Sequence, residues 1–227
     1  MQFWQDPQFG GRMITLMAAL VLVLQITMVA QRWLVTNIRA FAIQSFLLAG
    51  IANTVAYFNH APHIYVAAAL TLLVKAILLP VILQRLVARI EIRREIEPFI
   101  NAPISVIISG LLTLVAYVVA ESFPGHIEHG PAALGRNTLP VAIALFLIGF
   151  FMMINRRKAL TQVLALLSLE NGLFLAAISL TYGMPLIVEV GIFFDVLVAA
   201  MILAILVYRI RETFDSMDVS RLSRLRG

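Results

Sequence analysis

Apolar residues run through this chain in long unbroken blocks separated by short polar connections. A helix that crosses the hydrocarbon core of a bilayer needs roughly 20 mostly apolar residues. Seven blocks meet or approach that length: Arg12–Gln31, Ile38–Phe58, Ile64–Leu86, Pro103–Ala120, Leu139–Ile154, Ala159–Leu180 and Pro185–Tyr208. The fifth is the shortest. Apolarity that is continuous rather than alternating excludes a transmembrane β-barrel. The predicted fold class is therefore all-α, a polytopic membrane protein with about seven transmembrane helices. The polar stretches are the amino end, the segment Ser122–Asn137 and the carboxyl tail, and none is long enough to carry a core. The chain divides into residues 1–121 with helices one to four, an outer loop 122–137, a three-helix unit 138–210 and a basic tail 211–227.

Composition sharpens this reading. Of 227 residues 61% are hydrophobic and only 13% charged, with a mean hydropathy of +0.95, which excludes an ordinary soluble domain. The net charge of +5 does not point to nucleic acid, because most arginines flank apolar blocks. Basic residues mark the connections that stay in the cytoplasm. Arg32 and Arg39 flank the first connection and Arg85, Arg89, Arg93 and Arg94 the third; Arg156, Arg157 and Lys158 fill the fifth, and Arg209, Arg211, Arg221, Arg224 and Arg226 follow the last helix. The connections Asn59–His63 and Thr181–Met184 carry no Lys or Arg, and Glu121–Asn137 carries only Arg136. This alternation predicts an amino terminus outside and a carboxyl terminus in the cytoplasm. Met1–Gly11 lacks the basic start of a secretory signal, so the first block is predicted to be a retained helix.

An internal repeat signal runs through the same blocks. Asn37-Ile-Arg39 followed by Gln44 and Asn53 matches Asn155-Arg-Arg157 followed by Gln162 and Asn171 without a gap. A shift of two residues in the outer loop then sets Lys75 opposite Asp195 and Arg89-Ile90 opposite Arg209-Ile210, while Ala52 stands opposite Glu170. On this reading helices one to three repeat as helices five to seven in parallel, with helix four as spacer, an arrangement used by transporters. The competing reading is chance similarity between two apolar hairpins with basic flanks.

Ionisable groups within the apolar blocks carry the functional signal, because a charge at membrane depth costs about 2.5–3.5 kcal/mol even on lenient scales. Glu170 lies in the middle of helix six and is followed by Asn171, whose amide is able to donate to the carboxylate, and Gly172, which lets a neighbouring helix approach closely. Asp195 sits among apolar neighbours in Phe193-Phe194-Asp195-Val196-Leu197. Glu189 is six residues earlier and projects from a different face at about 100° per residue. Lys75 is central in helix three, and Pro80 behind it removes a backbone donor and predicts a kink with room for water. These acids and the lysine read as an ion path. The plainer readings are a Glu170 that only hydrogen-bonds between helices and a Lys75 that snorkels or pairs with a partner's acid for assembly.

Other polar residues carry less. His60 and His63 bracket Pro62, and His126, Glu128 and His129 lie in the outer loop, without the ligand spacing of a helical metal site; they read as solvated loop residues, and no metal site is expected. Arg93-Arg94-Glu95 with Glu91 and Glu97 reads as a solvated helix end. The tail Arg221–Arg226 suits anionic lipid or a peripheral partner. There are no cysteines, which excludes a Cys-ligated iron–sulfur or haem centre in this chain, and no cofactor is expected in it. No phosphate-binding loop and no nucleophile with an evident base is present, so the chain is not expected to be an enzyme by itself.

The stretch Asn155-Arg-Arg-Lys-Ala-Leu-Thr-Gln followed by Leu-Ser-Leu-Glu170-Asn-Gly-Leu-Phe-Leu-Ala-Ala resembles the small three-helix subunit of complex I and of multisubunit cation/proton antiporters. That family carries a basic cytoplasmic start, a glutamate in mid-helix, matched here by Glu170, and a second membrane acid in its third helix. Asp195 matches the second acid by depth and by distance to the basic tail, and Glu189 by residue type. The whole chain resembles the E component family of hydrogenase-4, the formate hydrogenlyase type, in length and through Asn-Gly-Leu-Phe-Leu-Ala-Ala, Tyr-Gly-Met-Pro and Phe-Phe-Asp-Val-Leu-Val. The resemblance implies a membrane-arm subunit of a group 4 [NiFe] hydrogenase or complex I-like assembly in a prokaryotic cytoplasmic membrane. Antiporter-like and quinone-chamber-like membrane subunits and peripheral hydrogenase-like subunits would be its partners, with nickel–iron and iron–sulfur centres on them. Proton or cation movement would be coupled to electron transfer. The alternatives are a stand-alone secondary transporter and a purely structural membrane anchor.

Overall fold

The computed structural model describes residues 7–89, 99–122 and 138–181. Every regular element among them is helical: α1 Pro7–Ala30, α2 Leu34–Asn59, α3 Pro62–Leu70, a π-helical stretch Thr71–Leu78, α4 Leu79–Arg89, α5 Ala102–Glu121, α6 Leu139–Asn155 and α7 Ala159–Thr181. The stretch from α3 through α4 is one rod. Five rods are long and apolar enough to cross a membrane, and α6, with 17 residues, is shorter. The predicted seventh helix, with Glu189 and Asp195, and the outer loop beyond Ser122 lie outside the described residues.

Local chemistry accounts for several boundaries. Pro62, Pro103 and Pro140 sit at the starts of α3, α5 and α6, where a missing N–H costs nothing. α2 ends at His60, whose left-handed backbone (φ 51°) turns the following N–H, of Ala61, back to the carbonyl of Ala56. α2 begins four residues ahead of the predicted Ile38, which brings Asn37 into its first turn.

The apolar interior falls into two clusters at different depths. One gathers Met28, Leu34, Phe41, Leu83, Val87, Met152 and Leu164. The other gathers Ile14, Val21, Leu48, Val55, Ile64, Leu145 and Leu175. Five rods pass from one cluster to the other, and all but α6 carry buried polar side chains where they cross: Gln25 on α1, Gln44 and Ser45 on α2, Thr71 and Lys75 in the π-helical stretch, and Ser168, Glu170 and Asn171 on α7. A polar layer is thus held between two apolar ones.

The rods are tied at the end rich in arginine. The Arg156 side chain is 2% exposed and its Nη2 donates to the carbonyls of Met28 (3.0 Å) and Val29 (3.3 Å), in the last turn of α1. These carbonyls have no partner further along the helix, and a cation is also favoured at this end of the helix dipole. Asn155 accepts from the backbone N–H of Ile100 through Oδ1 (2.9 Å) and donates through Nδ2 to Ser105 Oγ (3.2 Å), which pins the start of α5. The Arg157 guanidinium lies 4.1 Å from the centroid of Phe99.

α6 and α7 meet through two glycines used reciprocally. A Cβ on Gly149 would stand 2.7 Å from Leu169 Cα, and one on Gly172 would stand 2.7 Å from the backbone nitrogen of Phe146. The role expected of Gly172 is the one it has. Among the positions matched by the internal repeat, Asn37 and Asn155 are both buried, whereas Gln44 is buried and Gln162 exposed, and Asn53 is exposed and Asn171 buried. The pairing of Lys75 with Asp195 involves a residue outside the described set.

Three outcomes are expected for stability in detergent. Gly172→Val forces α6 and α7 apart and lowers unfolding stability by about 1–3 kcal/mol, whereas Gly110→Ala on α5, where an added Cβ meets nothing within 4 Å, is neutral or stabilising. Arg156→Leu strips the donor from the Met28 and Val29 carbonyls and costs about 1–3 kcal/mol in the same assay.

Candidate functional site

Lys75 and Glu170 meet in the middle of the polar layer. Nζ stands 3.0 Å from Oε1, with the side chains 2% and 4% exposed. Lys75 comes from the amino-terminal half and Glu170 from α7, so the ion pair joins the two halves of the chain. The aromatic ring of Phe174, one helical turn beyond Glu170, has its centroid 5.8 Å from Nζ. The sequence marked both residues as intramembrane charges but did not pair them. The acid that Lys75 meets is in its own chain.

The π-helical stretch explains how Lys75 reaches this position. Pro80 supplies no N–H, and the N–H of Leu79 bonds back to the carbonyl of Val74, five residues earlier. The irregularity expected at Pro80 therefore lies ahead of it, as a wider turn. Along an α-helix, residues four apart drift around the axis by about 40° at each step. A wider turn rotates less per residue and takes that drift back. Ala67, Thr71, Lys75, Leu79 and Leu83 thereby keep one inward face, and Thr71 and Lys75 are the buried residues of the stretch.

Asn171 corrects one expectation. Its Nδ2 donates to Gln44 Oε1 (3.1 Å) and Ser45 Oγ (3.2 Å) on α2, not to the Glu170 carboxylate. Adjacent helical residues diverge by about 100°, so Glu170 faces the π-helical stretch while Asn171 faces α2. Gln44 in turn donates through Nε2 to Gln25 Oε1 (2.8 Å) and to the carbonyl of Val21 (3.4 Å). Ser168 Oγ donates to the same Gln25 oxygen. The Gln25 amide nitrogen lies 3.6 Å from Met152 Sδ.

Sequence reasoning passed over Gln25, Ser45, Thr71 and Ser168, and used Gln44 only in the repeat. A polar residue deep in an apolar block was the available signal. It is faint for a neutral amide or hydroxyl, whose bonds across membrane helices average about 0.6 kcal/mol. His60 and His63 are exposed. Among the described residues no three His, Cys, Asp or Glu side chains come together in a way that suits a metal ion. What the layer offers chemically is a buried exchangeable pair, an ammonium donor against a carboxylate acceptor, beside a neutral hydrogen-bonded chain.

Comparison with known proteins bears on this arrangement. Residues 138–227, which include α6 and α7, match the model of NADH-ubiquinone/plastoquinone oxidoreductase chain 4L. The hydrogenase-4 component E of Escherichia coli strain K12 is 24% identical over 96% of this chain and 99% of its own. An uncharacterized protein of Mycobacterium tuberculosis, Rv0085, is 36% identical over 68% of this chain and 69% of its own. No solved structure matches. Membrane-length apolar helices, a near end-to-end match to one relative and a chain 4L unit carrying Glu170 all agree: this is an integral membrane protein, and the chain belongs to one family with Rv0085 and is similar over nearly its whole length to hydrogenase-4 component E.

Proposed function

We propose that the chain is a non-catalytic membrane-arm subunit of a group 4 [NiFe] hydrogenase or related complex I-like assembly, and that its polar layer is a segment of an ion path coupled to electron transfer. The observation that carries the reading is the Lys75–Glu170 pair, buried in mid-bundle and contributed by both halves of the chain. A buried pair is held by mutual attraction against a large desolvation cost. A cation arriving beside Lys75 weakens that attraction and releases the carboxylate to bind a proton. The path continues through Glu170 toward Asp195 or Glu189, the second acid of the family pattern. Asn171 belongs to the same layer and holds α2 against the turn that carries Glu170.

In this proposal the arginine-rich end faces the cytoplasm of a prokaryotic inner membrane, with the amino terminus outside. Arg32, Arg39, Arg85 and Arg157 are exposed at or near that end, as the charge rule for cytoplasmic connections requires. Antiporter-like and quinone-chamber-like subunits flank the chain, and peripheral hydrogenase-like subunits hold the nickel–iron and iron–sulfur centres.

Purification of the parent complex through a tag on the carboxyl terminus is expected to bring those subunits along, as read by mass spectrometry. A protein that purifies alone and moves a solute in liposomes would instead be a stand-alone transporter. Lys75→Met and Glu170→Gln each leave one charge buried without its partner and are expected to destabilise by about 3–5 kcal/mol. The double variant K75M/E170M regains stability but does not restore ion movement in vesicles energised by a reduced low-potential dye. Normal ion movement in the double variant would sink the ion-path reading and leave the pair as a structural anchor.

A further inference from the structure

Ser168 and Asn171 lie on α7 on either side of Glu170, and both are tied into one hydrogen-bonded ring. Ser168 donates to Gln25 of α1, Gln44 of α2 donates to the same Gln25 oxygen, and Asn171 donates to Gln44. The ring runs from α7 through α1 and α2 and back to α7 at the next turn. All four side chains are 0% exposed. A buried amide or hydroxyl is costly without a partner, so rotation of α7 that breaks one bond of the ring exposes the others to the same penalty. Glu170 is the residue whose direction that rotation sets, and its carboxylate meets Lys75.

We propose that Gln25, Gln44 and Ser168 are positioning residues that set where the Glu170 carboxylate stands relative to Lys75. The ring acts through the backbone of α7. It clamps the α7 turn at the residues two before and one after Glu170, while Gly149 and Gly172 hold the same turn of α7 against α6. The carboxylate is therefore aimed from both sides, and its distance to Nζ follows from the ring. The consequence for transport rests on the ion-path reading above; the positioning itself stands on the ring.

The test reads the carboxylate directly. The infrared carboxyl band of Glu170 is identified in the parent complex by subtracting the spectrum of the E170Q variant. It is then followed in Gln44→Met, which keeps the length of the side chain and removes its polar group, and in Ser168→Ala. Ser105→Ala on α5, a buried hydroxyl outside the ring, is the control. Ion movement per electron pair is measured on the same preparations. Q44M and S168A are expected to shift the band and to lose coupling, and S105A to do neither. An unmoved Glu170 band in Q44M and S168A overturns the positioning role, whatever happens to stability. A shifted band with unchanged ion movement upholds the positioning role and overturns the ion-path reading instead. Should Q44M fail to assemble, S168A, which removes a single hydroxyl, decides the matter.

Discussion

An ammonium and a carboxylate held 3.0 Å apart inside a bundle of apolar helices set the terms for everything packed around them. Neither charge is tolerable alone at that depth, and together they are tolerable only at short range. Two rods from opposite halves of the chain must therefore stay in rotational and axial register. The π-helical turn does this for Lys75 by keeping Thr71, Lys75, Leu79 and Leu83 on one face. For Glu170 the work is shared between backbone contact with α6 at Gly149 and Gly172 and the amide ring to α1 and α2.

The layering follows from the same constraint. Two apolar clusters, one toward the arginine-rich end and one toward the other, pack the rods above and below the polar layer. Polar side chains gathered at one depth satisfy one another, whereas the same side chains scattered through the bundle would each need a separate partner. A layer of this kind lies across the bundle, not along it. The chain 4L match includes Glu170, and Lys75 belongs to helices outside the matched residues.

Much of the fold was legible in the sequence, since a helix that must bury its backbone groups in lipid declares itself by length and apolarity alone. The six described rods fall where the apolar blocks predicted them, within a few residues. Glu170 and Lys75 stood out because full charges are rare at that depth, and Gly172 because a side chain is missing beside a charge. Gln25 and Ser168 did not stand out, because a neutral amide or hydroxyl is inexpensive enough to occur in many membrane helices. Asn171 stood out for its place beside Glu170 and was assigned the wrong partner. Adjacency along the chain suggested the carboxylate, but adjacency along a helix means divergence around it.

By itself the sequence determined the helical class, the order of the spans, the charge asymmetry between the two ends and the presence of costly groups at mid-depth. Each of these depends on residue type and local spacing. The tertiary structure alone decided that Lys75 meets Glu170, that the turn ahead of Pro80 widens into a π-helix, and that Gln25 and Gln44 close a ring around the α7 turn. The ion pair and the ring join residues some 20 to 140 positions apart. They depend on how each rod is rotated about its axis. That rotation is set by the packing of all the rods together and is written in no single segment of the chain.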